Sequence, residues 1–201
     1  EDHGKNFAGE IHTAGVVHEE CFEGVAARSI SEPVNPDYVV IGEASGLNIK
    51  TGQRGRAEIL LETFGKAAHS ANPEKGVNAV KKMCRLISEL DKLQPPVHEQ
   101  LGKGIMEVTD IISSPYPGAS VVPEYCRATL DRRLLTGETK ESVLAPVKEL
   151  IARLEKEDPQ FSAKASFSVG KEKCYTDAEI QGERFFPGWY YDPKEDYIQK
   201  I

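Results

Sequence analysis

The order of apolar alternation along residues 56–169 constrains the fold more than any other feature. Across 56–64, Ala57, Ile59, Leu61 and Thr63 fall on one side of an extended chain, and Arg56, Glu58, Leu60 and Glu62 on the other. That period of two is the pattern of a half-buried strand. Helical spacing follows, with Val77, Val80, Cys84 and Ile87 as the apolar stripe, Asn72 as cap and Pro73 at the first position. Residues 104–112 read as a strand that ends at Pro115. In 121–135, Cys126, Ala128, Leu130 and Arg132 alternate with Arg127, Thr129, Asp131 and Arg133. A second helix covers about 139–156, with Val143, Val147, Leu150, Ile151 and Leu154 as its stripe. Pro146 conflicts with it, because a proline inside a helix costs about 3 kcal/mol. The helix therefore starts close before Pro146 or kinks there. Residues 163–169 alternate once more. The sequence β-α-β-β-α-β is the ferredoxin-like split pattern, four strands with two helices on one face.

Before this unit the pattern differs. Residues 10–17 read as a strand, Gly24 to about Ser31 as a short helix stopped by Pro33 and Pro36, and Tyr38–Gly42 as a buried strand of a parallel sheet. Together they predict a β-α-β unit. The character changes at Gly52-Gln53-Arg54-Gly55. The predicted fold class is α/β: a partial parallel-sheet domain (1–54), an inserted ferredoxin-like domain (55–170), and a return segment to the first domain (171–201). That last segment is polar and aromatic, with Phe185, Phe186, Trp189, Tyr190 and Tyr191 in no clear period.

Composition narrows the function classes. A net charge of −7 argues against a nucleic-acid or anionic-membrane surface, both of which need clustered Lys and Arg. No run approaches the roughly 18 apolar residues of a spanning helix, and no signal peptide is visible. The chain starts Glu1-Asp2-His3, which reads as a start that is not native. Cys21, Cys84, Cys126 and Cys174 are far apart and form no C-x-x-C, so neither a cysteine zinc site nor a disulfide framework is expected. Reduced thiols and a cytoplasmic location follow as the expectation.

Five residues stand out for chemistry. Glu19 and Glu20 follow a strand-like run, and neighbours on an extended segment point to opposite sides. One carboxylate could then ligate a metal while the other serves as general base. Taken alone, a Glu-Glu pair is more often a solvated acidic turn. Glu43 follows four apolar residues at the carboxyl end of the predicted parallel strand, where open α/β sheets place their sites. Glu20 and Glu43 could share a cation from neighbouring strands. His69 lies in a loop before a helix and by itself reads as an exposed turn histidine. Arg133 shares a strand with Asp131. It is either one half of a surface ion pair or a fork for a substrate carboxylate. His12 reads as packed within its strand, and His18 as too close to Glu19 to share an ion with it.

These segments resemble the di-zinc amidohydrolase and peptidase family of acetylornithine deacetylase, succinyl-diaminopimelate desuccinylase and the aminoacylases. The stretches that carry the resemblance are Gly15–Gly24, Val40–Ser45, Gly52–Gly55, His69–Ala79 and Ser120–Arg133. Residues 184–191 add a likeness to a bacterial subgroup linked to selenium metabolism. The resemblance implies hydrolysis of an amide bond, in an N-acyl amino acid or a peptide-like substrate, by water activated between two zinc ions. Cobalt or manganese are alternatives to zinc. Glu19 is implied as general base, Glu20 and Glu43 as ligands of the two metals, and Arg133 as the grip on a substrate carboxylate. His69 is implied to cross the interface of a homodimer built through the ferredoxin-like lid. The family's His-x-Asp motif and bridging aspartate would lie before residue 1, and its last histidine ligand after residue 201. The chain thus reads as a fragment, inactive alone, of part of a catalytic domain and a whole lid. Ser120 stands where many members carry a substrate-binding asparagine, and His18 where they carry an acidic residue. The alternative is a non-catalytic ferredoxin-like module for self-association or ligand binding.

Overall fold

The computed structural model describes residues 8–201. In chain order its elements are α1 (Glu19–Phe22), α2 (Val25–Val34), β1 (Gly52–Gln53), β2 (Gly55–Phe64), β3 (Ala68–His69), α3 (Ala79–Leu90), β4 (Val97–His98), β5 (Gly102–Lys103), β6 (Ile105–Ser114), β7 (Val121–Val122), β8 (Tyr125–Leu134), α4 (Lys140–Glu157), β9 (Ala163–Phe167), β10 (Val169–Lys173), β11 (Glu179–Glu183), β12 (Phe185–Phe186), β13 (Trp189–Tyr190) and α5 (Asp196–Gln199). The described residues divide into two compact units. One runs up to Gly42 and includes Lys171–Gly182; the other is Glu43–Gly170 with Glu183–Ile201.

The larger unit is organised by β2. Along one edge it pairs antiparallel with β8, from Gly55 opposite Leu134 to Phe64 opposite Tyr125. Along its other edge β9 covers Ile59–Thr63 and β12 covers Arg56 and Ala57. β6 lies outside β8, with a bulge between Val108 and Asp110. Across the sheet the order is therefore β9 and β12, then β2, β8 and β6, all antiparallel. Helices α3 and α4 pack against this sheet and each other. The predicted alternation is observed: Ala57, Ile59, Leu61 and Thr63 are buried, as are Cys126, Ala128, Leu130 and Arg132. So are all five stripe residues of α4, Val143, Val147, Leu150, Ile151 and Leu154.

Two polar side chains in this core are satisfied. The Thr63 hydroxyl donates to the Ala79 carbonyl at 2.9 Å. Arg132 donates to Glu138 Oε1 at 2.6 Å and to the Ile105 carbonyl at 3.3 Å. Desolvation pushes the Arg132 guanidinium down from its ordinary range, and Glu138 opposes that shift. A buried cation is tolerated because a hydrogen-bonded carboxylate answers it.

Helix α3 departs from expectation at its start. Asn72 and Pro73 open a single 3-10 turn, Pro73–Lys75, and not the α-helix. Backbone bonds between Lys66 and Val77, at 2.8 and 2.9 Å, tie this stretch to the sheet side, so helix cannot begin until Val77 is passed. Asn78 is the cap, and its side chain accepts from the Lys81 amide at 3.1 Å. The buried stripe accordingly shifts to Ala79, Met83, Leu86 and Leu90, with Val80 and Ile87 on its flanks and Cys84 exposed. In α4 the Pro146 conflict resolves as an early start. The helix begins at Lys140, fewer than two turns before the proline. A capping box between Thr139 and Ser142 fixes that start, and Pro146 lies on the exposed side.

Ion pairs fasten α3 to α4. Arg153 donates to Glu89 at 2.8 Å, Lys82 to Asp158 at 2.7 Å and Arg85 to Glu157 at 2.6 Å. Hydrogen bonds from Lys92 and then Arg153 hold the Glu89 carboxyl down to about 2 from an ordinary 4.5. A depressed carboxylate contributes its stabilisation above the unfolded value and loses it as pH falls through the folded one. The difference in melting temperature between wild type and Glu89→Gln should therefore close as pH falls from 4.5 towards 2. A difference independent of pH across that window would discount the pairing.

The N-terminal expectations are corrected. Residues 10–17 form no strand, and neither do residues 38–42. Tyr38, Val39, Val40 and Ile41 are 61–82% exposed. A parallel strand exists only through a neighbour, and no strand among the described residues pairs with either stretch. His12 is likewise not packed; it is exposed and bonded to Glu10 at 3.0 Å. The smaller unit is held by Phe22, which is fully buried, and by the β10–β11 hairpin, where Gly182 approaches Val25 of α2. Pro33 falls inside the last turn of α2, and the helix ends at Asn35 in the left-handed region.

The 171–201 segment has more structure than its composition suggests. Besides the hairpin, β12 joins the main sheet and β13 pairs with β1. Residues 183–201 thereby fold with the larger unit, whereas the sequence reading grouped 171–201 with residues 1–54. Gly55 makes this packing geometrically feasible. A Cβ there would lie 2.2 Å from the Phe186 carbonyl oxygen.

Candidate active-site residues

Glu19 and Glu20 open α1, and are not on an extended segment as expected. His18 adopts the left-handed region at φ 55°, and its carbonyl accepts from Phe22 at 2.8 Å. Glu23 closes the turn by donating to the Glu19 carbonyl at 2.7 Å. Successive helical residues diverge by about 100°, so the two carboxylates leave the backbone in distinct directions, though not opposed ones. Both are exposed, while buried Phe22 anchors the turn that carries them.

Glu43 is exposed, in a stretch without strand pairing, and belongs to the larger unit, whereas Glu19 and Glu20 belong to the smaller. Carboxylate oxygens are the donor type that zinc, cobalt and manganese accept. Among the described residues, however, no three His, Cys, Asp or Glu side chains converge as a metal site. Glu20 and Glu43 are too few to hold an ion unaided.

His69 sits in the two-residue strand β3, opposite Val121 of β7. The Ser70 amide donates to the Ser120 carbonyl at 2.9 Å, which brings Ser120 beside the histidine. The Ala71 amide donates to His69 Nδ1 at 3.1 Å. That bond assigns the proton of the neutral imidazole to Nε2 and makes the exposed edge a hydrogen-bond donor. Tight packing at Gly76 supports the loop, since a Cβ there would lie 2.7 Å from the Lys66 carbonyl oxygen.

Arg133 lies opposite Arg56 on one side and Ile105 on the other, on the sheet face that α3 and α4 leave open. Its side chain is 46% exposed, and its Nε contacts Asp131 Oδ1 at 3.0 Å. Arg56 Nε donates to the other oxygen of Asp131 at 2.7 Å. Glu58 then accepts from Arg56 at 3.2 Å and from Arg184 at 3.0 Å. Spacing alone puts Asp131 and Arg133 on one face. The contributions of Arg56 and Arg184 depend on strand register, which spacing does not reveal.

His69, in the separate β3–β7 pair, lies beyond the end of the main sheet opposite to Arg133. Arg133 faces Arg56 near the start of β2, while His69 comes after β2 ends at Phe64. At about 3.3 Å per residue that separation is on the order of 25–30 Å. A small substrate cannot touch both within one copy.

Strands and helices in these two layers make the larger unit a mixed α/β domain, with its polar side chains on an open sheet face and in the loops at its ends. Residues 51–159 match the peptidase dimerisation domain, M20. The chain belongs to that family. It is 33% identical over 179 residues to the uncharacterized protein YgeY of Escherichia coli (strain K12), covering 87% of this chain and 43% of that one. It is 27% identical over 166 residues to succinyl-diaminopimelate desuccinylase of Paracoccus denitrificans (strain Pd 1222), covering 81% and 38%. Aminopeptidase PepT from Bacillus cereus ATCC 10987 shares the fold, with a TM-score of 0.62 at 17% identity over 92% of this chain and 44% of that one. The chain therefore spans about two fifths of the length of the curated relatives it matches. No helix among the described residues is long and apolar enough to cross a membrane.

Proposed function

We propose that this chain is the lid, with an adjoining part of the catalytic domain, of a metal-dependent hydrolase that cleaves an amide bond in an N-acyl amino acid or a peptide-like substrate. Membership of the peptidase dimerisation family supports it, as does the relative named as a desuccinylase. The observation that carries the reading is the separation of His69 from Arg133. Two groups suited to one small substrate, an oxyanion donor and a carboxylate fork, sit too far apart to serve it from a single lid. They become useful together when two lids meet.

The lid is ferredoxin-like in this reading, supported by the strand order β9, β2, β8, β6 with α3 and α4 on one side. Self-association through it is supported by β6, a ten-residue edge strand with Ile105, Ile111 and Ile112 each 40–48% exposed. An edge of that length and apolarity is a template for a twofold copy. The exposed apolar run Tyr38–Ile41 fits a strand whose neighbours belong to the rest of a longer protein.

In the reaction, Arg133 binds and orients the substrate carboxylate through its Nη groups. Glu19 takes a proton from the attacking water and passes it to the leaving amine. His69 Nε2–H donates to the carbonyl oxygen as charge develops there. Glu20 and Glu43 would each contribute one carboxylate to a centre completed by residues outside this chain. The metal, zinc in the first instance, would supply Lewis-acid polarisation and a lowered pKa for water.

The test is hydrolysis of N-acetyl and N-succinyl amino acids and dipeptides by the full-length protein, before and after chelation. Turnover that disappears on chelation and returns with zinc is expected, with none from residues 1–201 alone. Turnover indifferent to chelation, or undiminished in this chain alone, would overturn the proposal. Self-association or ligand binding with no hydrolysis by the full-length protein would favour the non-catalytic module.

A further inference from the structure

We infer that Asp131 is a positioning residue that dictates which edge of the Arg133 guanidinium meets the substrate, and that Arg56 holds Asp131 in that task. The inference rests on the reading of Arg133 as the carboxylate fork.

An arginine can bind a carboxylate through its Nη1/Nη2 end or through its Nε/Nη side. Asp131 disfavours the second option by placing its Oδ1 carboxylate oxygen 3.0 Å from Nε, where a substrate carboxylate would have to sit. Both Nη groups of Arg133 have no partner among the described residues, so the end of the fork is what remains. Asp131 is only 14% exposed, whereas Arg133 is 46% exposed. The anchor is sheltered and the fork reaches solvent.

A carboxylate beside the fork would by itself repel a substrate carboxylate. Arg56 prevents this by donating Nε to Asp131 Oδ2 at 2.7 Å, which also stops the aspartate from rotating. The pattern continues to Glu58 and Arg184 in alternating sign. Cations stand at both ends of this row, and Arg133 is its most exposed member. All these residues come from paired strands and the segment that joins the same sheet, so the fork is mounted on rigid structure before any ligand arrives. Such preorganisation lowers the ordering cost of binding.

The test compares, in the full-length enzyme, the best turned-over substrate among N-acetyl amino acids, N-succinyl amino acids and dipeptides with its C-terminal amide. The readout is the ratio of the two kcat/KM values. Asp131→Asn keeps the shape and should lower that ratio about tenfold, through KM for the carboxylate form, with kcat changed less than about twofold. Arg56→Gln leaves Arg133 and Asp131 in place and should lower it in the same direction by less; it serves also if Asp131→Asn folds poorly. General damage to the lid would depress both substrates alike and leave the ratio unmoved. An unmoved ratio in both variants overturns the inference. If Arg133→Ala abolishes the carboxylate preference and Asp131→Asn keeps it, the positioning role fails while the fork stands. If wild type shows no carboxylate preference, or turns over none of these substrates, the fork itself fails and the positioning role falls with it.

Discussion

Replacing Glu19 with glutamine in the full-length protein should remove turnover while leaving metal content and folding intact. Glutamine matches glutamate in size but cannot take a proton. Glu19 is exposed in a single helical turn whose anchor is the buried ring of Phe22, one turn away, so the substitution spares the packing that holds the turn. A general base in reach of its proton contributes about 10²–10⁴-fold, and kcat should fall by that order. Glu20→Gln supplies the contrast, because a lost ligand should lower metal content as well as rate. Parallel measurement of kcat and bound zinc separates the two roles. Near wild-type kcat in Glu19→Gln would take Glu19 out of the mechanism. Loss of zinc in that variant would instead make Glu19 a ligand.

Most of the sheet unit was legible because its strands are long and half-buried. Ten residues of β2 and ten of β8 alternate without a break, and one of the two sides read from the sequence is buried throughout in each. The α4 stripe was legible for the same reason, down to Leu154. What failed was decided by long-range pairing. The Lys66–Val77 bridge moves the start of α3 from Pro73 to Ala79, and no local propensity encodes that tie. Tyr38–Gly42 has strand composition but no strand to pair with among the described residues. The short strands β12 and β13 are two residues each, too brief for a period to register. Among the site residues, the face shared by Asp131 and Arg133 follows from spacing alone. The acceptor role of His69 Nδ1 depends on the turn at Ala71, and the sequence gives no sign of it.

The second large effect belongs to His69 and has to be read in a mixture. His69→Ala should cost roughly 10²–10³ in kcat, the usual loss for one oxyanion donor. Its own copy is poorly placed to use it: Arg133, the residue that would hold the substrate, lies at the far end of the main sheet, whereas His69 sits in the β3–β7 pair beyond its other end. Suppose instead that each site takes its base and its fork from one subunit and its oxyanion donor from the other. Mixing inactive His69→Ala enzyme with inactive Glu19→Gln enzyme then concentrates both lesions in one site of the heterodimer and leaves the other site whole. With free exchange at equal amounts, half the dimers are mixed and activity should return to about a quarter of wild type. A double variant, Glu19→Gln with His69→Ala, mixed with wild type gives the opposite result, because each mixed dimer then carries one lesion in each site. A rise from nothing to about a quarter in the first mixture, with a fall from half to about a quarter in the second, where only the wild-type homodimers stay active, would be hard to obtain from any arrangement in which the residue serves its own subunit. If exchange is demonstrated and the first mixture stays inactive, His69 acts in cis or not at all, and the distance between the two ends of the sheet must be closed by some movement of the lid.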